Sequence, residues 1–213
     1  EYYDYREQTD LFEGFSAVLG NPQKITVTGG AEPERVAFTY VEHDLFRTLG
    51  VSPAAGRWFT PAEGLPGGPA VAIVSGRFAQ RRFGAPGNAV GASLVILGRL
   101  HRVVGVMPAT FRFLYDADIC VPMRRGESVA GLQRQYLNWL IVGRLKPGAS
   151  IQGAQHQVDV ISRRLEAQYP ENAGKALRLD PLQAALTGSQ TPRLLVLMAA
   201  VGLVLLIACA NVA

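Results

Sequence analysis

Hydrophobic and polar positions alternate in different rhythms along the chain, and each rhythm predicts an element. Residues 2–18 place Tyr5, Leu11 or Phe12, and Phe15 at helix-like spacing among helix-forming residues, which predicts a helix ended by Gly20, Asn21 and Pro22. Residues 24–28 (KITVT) and 35–41 (RVAFTYV) alternate with period two around Gly29-Gly30, which predicts an antiparallel pair of strands. A short helix is expected over 43–49, followed by an irregular Gly-, Pro- and Ala-rich connection over 50–69. Residues 70–74 (AVAIV) form a continuous apolar run, the mark of a strand covered on both faces, and Ser75 is placed to cap a helix running to Phe83. Two strands, 94–97 and 100–106, are expected to form a hairpin across Gly98-Arg99, and 119–122 a further short strand. After a polar stretch over 124–135 expected to be a loop or boundary, residues 137–145 (LNWLIVGRL) read as a strand and Ser150 as an N-cap. The helix that follows carries Ile151, Ala154, Val158, Ile161 and Leu165 on one face, with Pro170 as its stop. Residues 176–179 (ALRL) complete a strand-helix-strand unit, expected to be parallel with a right-handed crossover.

The last twenty residues, 194–213 (LLVLMAAVGLVLLIACANVA), change the picture. They carry no Asp, Glu, Lys, Arg or His, and at about 1.5 Å per residue they would span roughly 30 Å as a helix, the thickness of a bilayer's hydrocarbon core. Buried core helices are usually shorter and keep a polar stripe. The stretch therefore reads as a transmembrane helix with Thr191-Pro192 at its start, and the residues before it as a water-facing domain held at a membrane. Arg193 sits where a long cationic side chain reaches headgroups, and Asn211 where either a neighbouring helix or interfacial water satisfies its amide. The chain opens on Glu1 without the basic-apolar-small pattern of a signal peptide, so a segment of a longer protein is expected.

Composition excludes several classes. With 213 residues, 48% of them hydrophobic, the chain can build a core. Its net charge of +4 comes from Lys and Arg spread along the sequence; Arg81-Arg82, Arg124-Arg125 and Arg163-Arg164 are pairs, not the clustered patch that nucleic acid requires. Two cysteines, Cys120 and Cys209, make neither a disulfide framework nor a zinc site.

Candidate chemistry is sparse. No Gly-x-x-x-x-Gly-Lys-Ser/Thr loop is present to cradle phosphates: Gly174-Lys175 is followed by Ala176, and the turn from Gly64 to Gly68 has no Lys after it. Ser75 lacks the preceding glycine of a hydrolase nucleophile elbow and reads as a cap. His43, His101 and His156 have no i, i+4 pairing, and Asp116 and Asp118 read as a solvated pair. No catalytic, cofactor-binding or metal residues are therefore assigned, and no cofactor is expected.

Several segments, taken in order, carry a resemblance. They are 46–51 (FRTLGV), 56–59 (GRWF), 71–75 (VAIVS), Phe83-Gly84, 104–108 (VGVMP), 118–122 (DICVP), 142–148 (VGRLKPG) and 205–213 (LLIACANVA). Together the set resembles the MacB-like extracytoplasmic core domain of FtsX/MacB-type ABC transporter permeases, with Cys120 standing where members often carry Trp. The resemblance implies an α+β, two-lobed extracytoplasmic (periplasmic) domain followed by a transmembrane helix. One lobe, porter-like αβ units, would comprise residues 1–45 and 131–189; an inserted, mostly β lobe would comprise 46–130; the membrane helix would start within 190–213. It also implies a non-enzymatic permease part in the cell (inner) membrane that couples ATP-driven motion of membrane helices to handling or export of an extracytoplasmic cargo. Its implied partners are the membrane, an ATP-binding cassette ATPase subunit, a second copy in a homodimer and a periplasmic adaptor, and not nucleic acid. The alternative reading is a membrane-anchored ligand-binding or sensor module without an ATPase.

Overall fold

The computed structural model describes residues 2–29, 32–111, 113, 116–124, 139–169, 174, 176–187, 198, 201 and 202. The chain divides into two compact units, Glu1–Pro147 and Gly148–Ala213.

Among the described residues the first unit carries nine strands: β1 (Phe12–Leu19), β2 (Gln23–Val27), β3 (Glu34–Val41), β4 (Ala55–Gly56), β5 (Val71–Val74), β6 (Ser93–Ile96), β7 (Arg99–Val106), β8 (Ile119–Pro122) and β9 (Trp139–Leu145). Short helices punctuate them: α1 (Tyr2–Gln8), α2 (Leu45–Thr48), α3 (Gly76–Phe83) and α4 (Pro86–Ala89). The main order is β4-β7-β5-β8-β3-β1-β9, with β2 also on β3 and β6 also on β7. β2 and β6 then meet, where Thr28 and Val95 exchange backbone bonds of 3.3 and 2.9 Å. The ladder β2-β3-β8-β5-β7-β6 thus closes on itself, which removes most of its open edges.

Strand alternation sends successive residues to the two faces of this ladder and so creates two cores. Inside the ring, Val36 and Phe38 of β3, Ala72 and Val74 of β5, Leu94 and Ile96 of β6 and Ile119 and Val121 of β8 pack with Phe78 and Ala79 of α3. On the opposite face, Val41, Val71, Ile73, Val104 and Cys120 pack under Leu45, Phe46, Trp58 and Phe59. β5 serves both cores and all four of its residues are buried, which is why its sequence is an unbroken apolar run. Phe38, Phe46, Phe59 and Phe78 are under 2% exposed, and burial of each contributes about 1.5–3 kcal/mol.

Most predicted elements stand. β2 and β3 pair antiparallel from Gln23↔Phe38 to Val27↔Glu34. Ser75 caps α3, its Oγ accepting from Phe78 N at 3.1 Å. The β6–β7 hairpin turns one residue earlier than expected, on Leu97 (φ 49°) and Gly98 (φ 77°): two successive positive φ angles make the tight hairpin turn whose twist suits the strands.

The predicted helix over 2–18 is corrected: α1 stops at Gln8, and Phe12–Leu19 is β1. The spacing of Leu11, Phe12 and Phe15 fits either element, and tertiary pairing decides. β1 runs antiparallel to β9 from Phe12↔Leu145 to Leu19↔Trp139 and touches β3 at Val18↔Val41. Its last five residues, Phe15 to Leu19, are all buried, a pattern no surface helix could provide.

In the second unit, Ser150 Oγ accepts from Gly153 N at 3.0 Å and caps α5 (Ile151–Gln168), whose Ala154, Val158, Ile161 and Leu165 are buried as the periodicity demands. The expected strand over 176–179 does not form. The Gln155 side-chain amide takes the place of a neighbouring strand, donating to Leu177 O at 3.0 Å and accepting from Leu179 N at 2.8 Å. A short helix, α6 (Leu182–Thr187), follows. Among the described residues no helix is long and apolar enough to cross a membrane. The predicted membrane helix over 194–213 lies outside the described residues except for Met198, Val201 and Gly202, and the predicted loop over 124–135 lies outside them from residue 125 onward.

Candidate functional site

Two features of the first unit bring polar chemistry and open space together. The first is a knot at the corner where β3 gives way to α2. Glu42, His43 and Asp44 offer donor atoms within 4.8 Å of one another, a spacing a metal ion could use. Their oxygens are already engaged. Glu42, only 2% exposed, accepts from Tyr3 OH at 2.8 Å, and its other oxygen lies 3.5 Å from both Arg6 Nη1 and His43 Nδ1. Asp44 accepts from Arg6 Nη2 at 2.6 Å and from Ser16 Oγ at 2.8 Å. Arg6 thus supplies the positive charge at this corner, and the triplet works as an ion-paired clamp that fastens α1 to the sheet. Tyr2 belongs to the same clamp: its OH donates to Phe15 O at 2.8 Å and accepts from Arg6 at 3.0 Å. Burial, reinforced by Glu42, pushes the Tyr2 phenol well above its ordinary range. Burial works against the Arg6 charge, but Tyr2 and Asp44 outweigh it and raise its pKa. Sequence reasoning passed over this group; its signal is Tyr-Tyr-Asp-Tyr-Arg at residues 2–6 set against Glu-His-Asp at the end of a strand.

The second feature is a narrow cleft over the outer core. Phe46 stacks on Trp58 with centroids 4.5 Å apart and meets Phe111 edge-on at 5.9 Å. Trp58 is fixed by donating Nε1–H to Val51 O at 2.7 Å. Phe46 and Phe111, with Met107 and Phe113, border about 490 Å³ of space, counting its open mouth. At the mouth Arg77 Nη2 pairs with Asp116 Oδ1 at 2.9 Å, both side chains about half exposed. Cys120 lies in the lining, and burial pushes its thiol up to about 12, so it stays protonated and unreactive.

The residues singled out in the sequence are scattered among structural tasks. Ser75 Oγ is occupied as a cap, accepting from Phe78 N, and has no histidine partner among the described residues. Asp116 holds Arg77, while Asp118 accepts from Ala37 N at 3.1 Å and lies 3.6 Å from Arg81, so these two carboxylates are tied separately instead of forming a solvated pair. Of the histidines, only His43 joins a group of potential ligands among the described residues; His101 lies on β7 with Nδ1 2.9 Å from Arg99 O, and His156 on α5. Arg193 and Asn211 lie outside the described residues. The arrangement clamps and encloses; it presents no activated nucleophile among the described residues.

The sequence profile described as MacB-like periplasmic core domain matches residues 1–161. No curated protein matches the chain. Among solved structures, the periplasmic region of MacB from Actinobacillus actinomycetemcomitans superposes with a TM-score of 0.59 at 13% identity, covering 79% of this chain and 73% of that one. A domain of a putative permease protein from Porphyromonas gingivalis gives 0.56 at 18% identity, covering 84% of each. The extracellular domain of the noncanonic ABC-type transporter YknZ from Gram-positive bacteria gives 0.55 at 15%, covering 79% and 83%. At these identities the likeness is one of fold.

Proposed function

Because the chain belongs to the MacB-like periplasmic core domain family, we propose that it is the extracytoplasmic domain of an ABC transporter permease subunit, coupling ATP-driven motion of membrane helices to the handling or export of an extracytoplasmic cargo. The match over residues 1–161 is the observation that carries the reading. The geometry is compatible with a mechanical part: a closed strand ring for stiffness, a charged clamp on α1, and no catalytic constellation among the described residues.

The proposal includes residues 194–213 as a membrane helix at the cell (inner) membrane, on the strength of their composition. ATP hydrolysis belongs in it to a separate ATP-binding subunit, with a homodimer and a periplasmic adaptor as further partners. It also keeps the two-lobe division, residues 1–45 with 131–189 against 46–130, as units of motion; β3 and β8 join the two stretches within one sheet from Phe38↔Ile119 to Val41↔Pro122. The test is to purify the full-length protein from detergent-solubilised membranes and to measure ATPase-dependent export after deleting residues 46–130. Co-purification of an ATP-binding subunit together with loss of export is expected. Absence of that subunit would favour an anchored sensor, and unchanged export would remove the 46–130 lobe from the transport cycle.

A further inference from the structure

A wider cleft lies elsewhere on the first unit, between the strap that carries β4 and the middle of β7. It encloses about 520 Å³, within the range of about 300–1,000 Å³ typical of small-molecule sites. Its wall is apolar: Val71, Val103 and Val104 are buried beneath it, and Val90 is 37% exposed at its side.

The charges around it are of one sign once internal pairs are discounted. Arg57 and Glu63 neutralise each other through a two-pronged bond of 3.0 and 2.7 Å. Arg57 also donates to Trp58 O, so three of its donors are used and it is held rigid at the rim. Arg124, outside the lining, is tied to backbone, donating to Gly68 O and to O of the lining residue Pro69 at 2.8 Å each. Arg102 is different. Its guanidinium lies over Gly91, where an added Cβ would sit 3.8 Å from Nη2, and among the described residues its side chain has no ion-pair or hydrogen-bond partner. On the same strand, burial lowers the His101 pKa against the bond its ring makes with Arg99 O, and the Arg99 and Arg124 charges add to the lowering.

We propose that this cleft binds a long-chain carboxylate, with the alkyl chain along Val71, Val90 and Val104 and the carboxylate on the Arg102 guanidinium. A planar carboxylate matches one guanidinium fork, and the valine wall supplies what a small hydrophilic anion would not use. Arg57, already fixed at the same rim, does not have to reorganise when the cleft fills.

The site is tested on the purified full-length protein with a sixteen-carbon fatty acid carrying a mid-chain diazirine, photolysed and mapped by mass spectrometry. Adducts are expected on peptides containing Val71, Val90 or Val104, reduced about tenfold by Arg102→Ala, as loss of one charge-assisted contact predicts. Arg102→Lys should retain part of the labelling. Val90→Glu, which places a negative charge in the wall beside the chain and next to the Gly91 position under Arg102, should also suppress it. An unchanged urea midpoint confirms that each variant is folded. Adducts elsewhere, equal yields in wild type and Arg102→Ala, or equal labelling by the same probe with a neutral amide head group or a phosphate head group would overturn the proposal. None of these readouts needs an ATPase, so the result is independent of the transport reading.

Discussion

Gly105 lies where the strap bearing β4 crosses β7, and a methyl group there has nowhere to go. A Cβ built on Gly105 falls 2.1 Å from Arg57 O, whereas carbon and carbonyl oxygen ordinarily approach to about 3.3 Å. Gly105→Ala must therefore push the strap away by about 1 Å or more. The strap is held by Arg57 N→Val104 O and Ala54 N→Val106 O, both 2.9 Å, and by the Ala55↔Val106 and Gly56↔Gly105 pairing. Losing the first two bonds costs about 0.5–1.5 kcal/mol each, and overpacking about 1–3 kcal/mol, so the substitution should destabilise by roughly 2–6 kcal/mol. That is a large share of the ~5–15 kcal/mol available to a typical domain. Gly87→Ala is the control: it lies in α4, has no atom within 4 Å of its added Cβ, and should change stability by no more than about 1 kcal/mol. Urea unfolding followed by tryptophan fluorescence suits the comparison, since Trp58 adjoins the strap. Equal midpoints for the two variants would refute the close-approach argument.

Other consequences follow from single contacts. Burial opposes the charge on Glu63, but Arg57 and Thr60 outweigh it and hold the carboxyl below its ordinary range. Its stabilisation is full above the unfolded value of about 4.3 and is lost as pH falls through the folded value, so the wild-type urea midpoint should drop more than that of Glu63→Gln between about pH 6 and pH 3.5; parallel curves would contradict this. Cys120, with its buried thiol, should resist maleimide in the folded protein and react in urea, and rapid labelling without denaturant would show that the outer core opens. Ser75→Ala should cost about 0.5–2 kcal/mol by removing the cap on Phe78 N, and Ser75→Asn should recover most of it; no change in midpoint for the alanine variant would remove the cap from the account.

Elements whose residues satisfy themselves locally were legible in the sequence. β5 is one, because its unbroken apolar run matches burial on both faces; α5 is another, with a serine cap and a regular buried stripe. β1 was not, because Leu11, Phe12 and Phe15 fit two periods and only β9 and β3, far along the chain, decide between them. The missing strand at 176–179 has the same origin: β-like residues make a strand only when a neighbour offers a ladder, and here a single glutamine side chain answers the backbone instead. The Glu42 clamp joins Tyr3 to Glu42, 39 positions apart, and the Arg102 cleft brings Gly56 and Arg57 against Val103 and Val104, which no local pattern encodes. The resemblance to permease domains was legible because its short segments fall at turns and strand ends, such as Val104 to Pro108, where close backbone contacts limit the choice of residue.

Accessibility in intact cells decides whether this domain faces the outside of the cell membrane. In a Cys209→Ser background Cys120 is buried, so Gly87→Cys, which has open space around it, provides a single reporter for a membrane-impermeant maleimide. An outward-facing domain is labelled in whole cells, with the outer membrane permeabilised where one exists, to the same extent as in lysates. Labelling that appears only after the inner membrane is broken would contradict it.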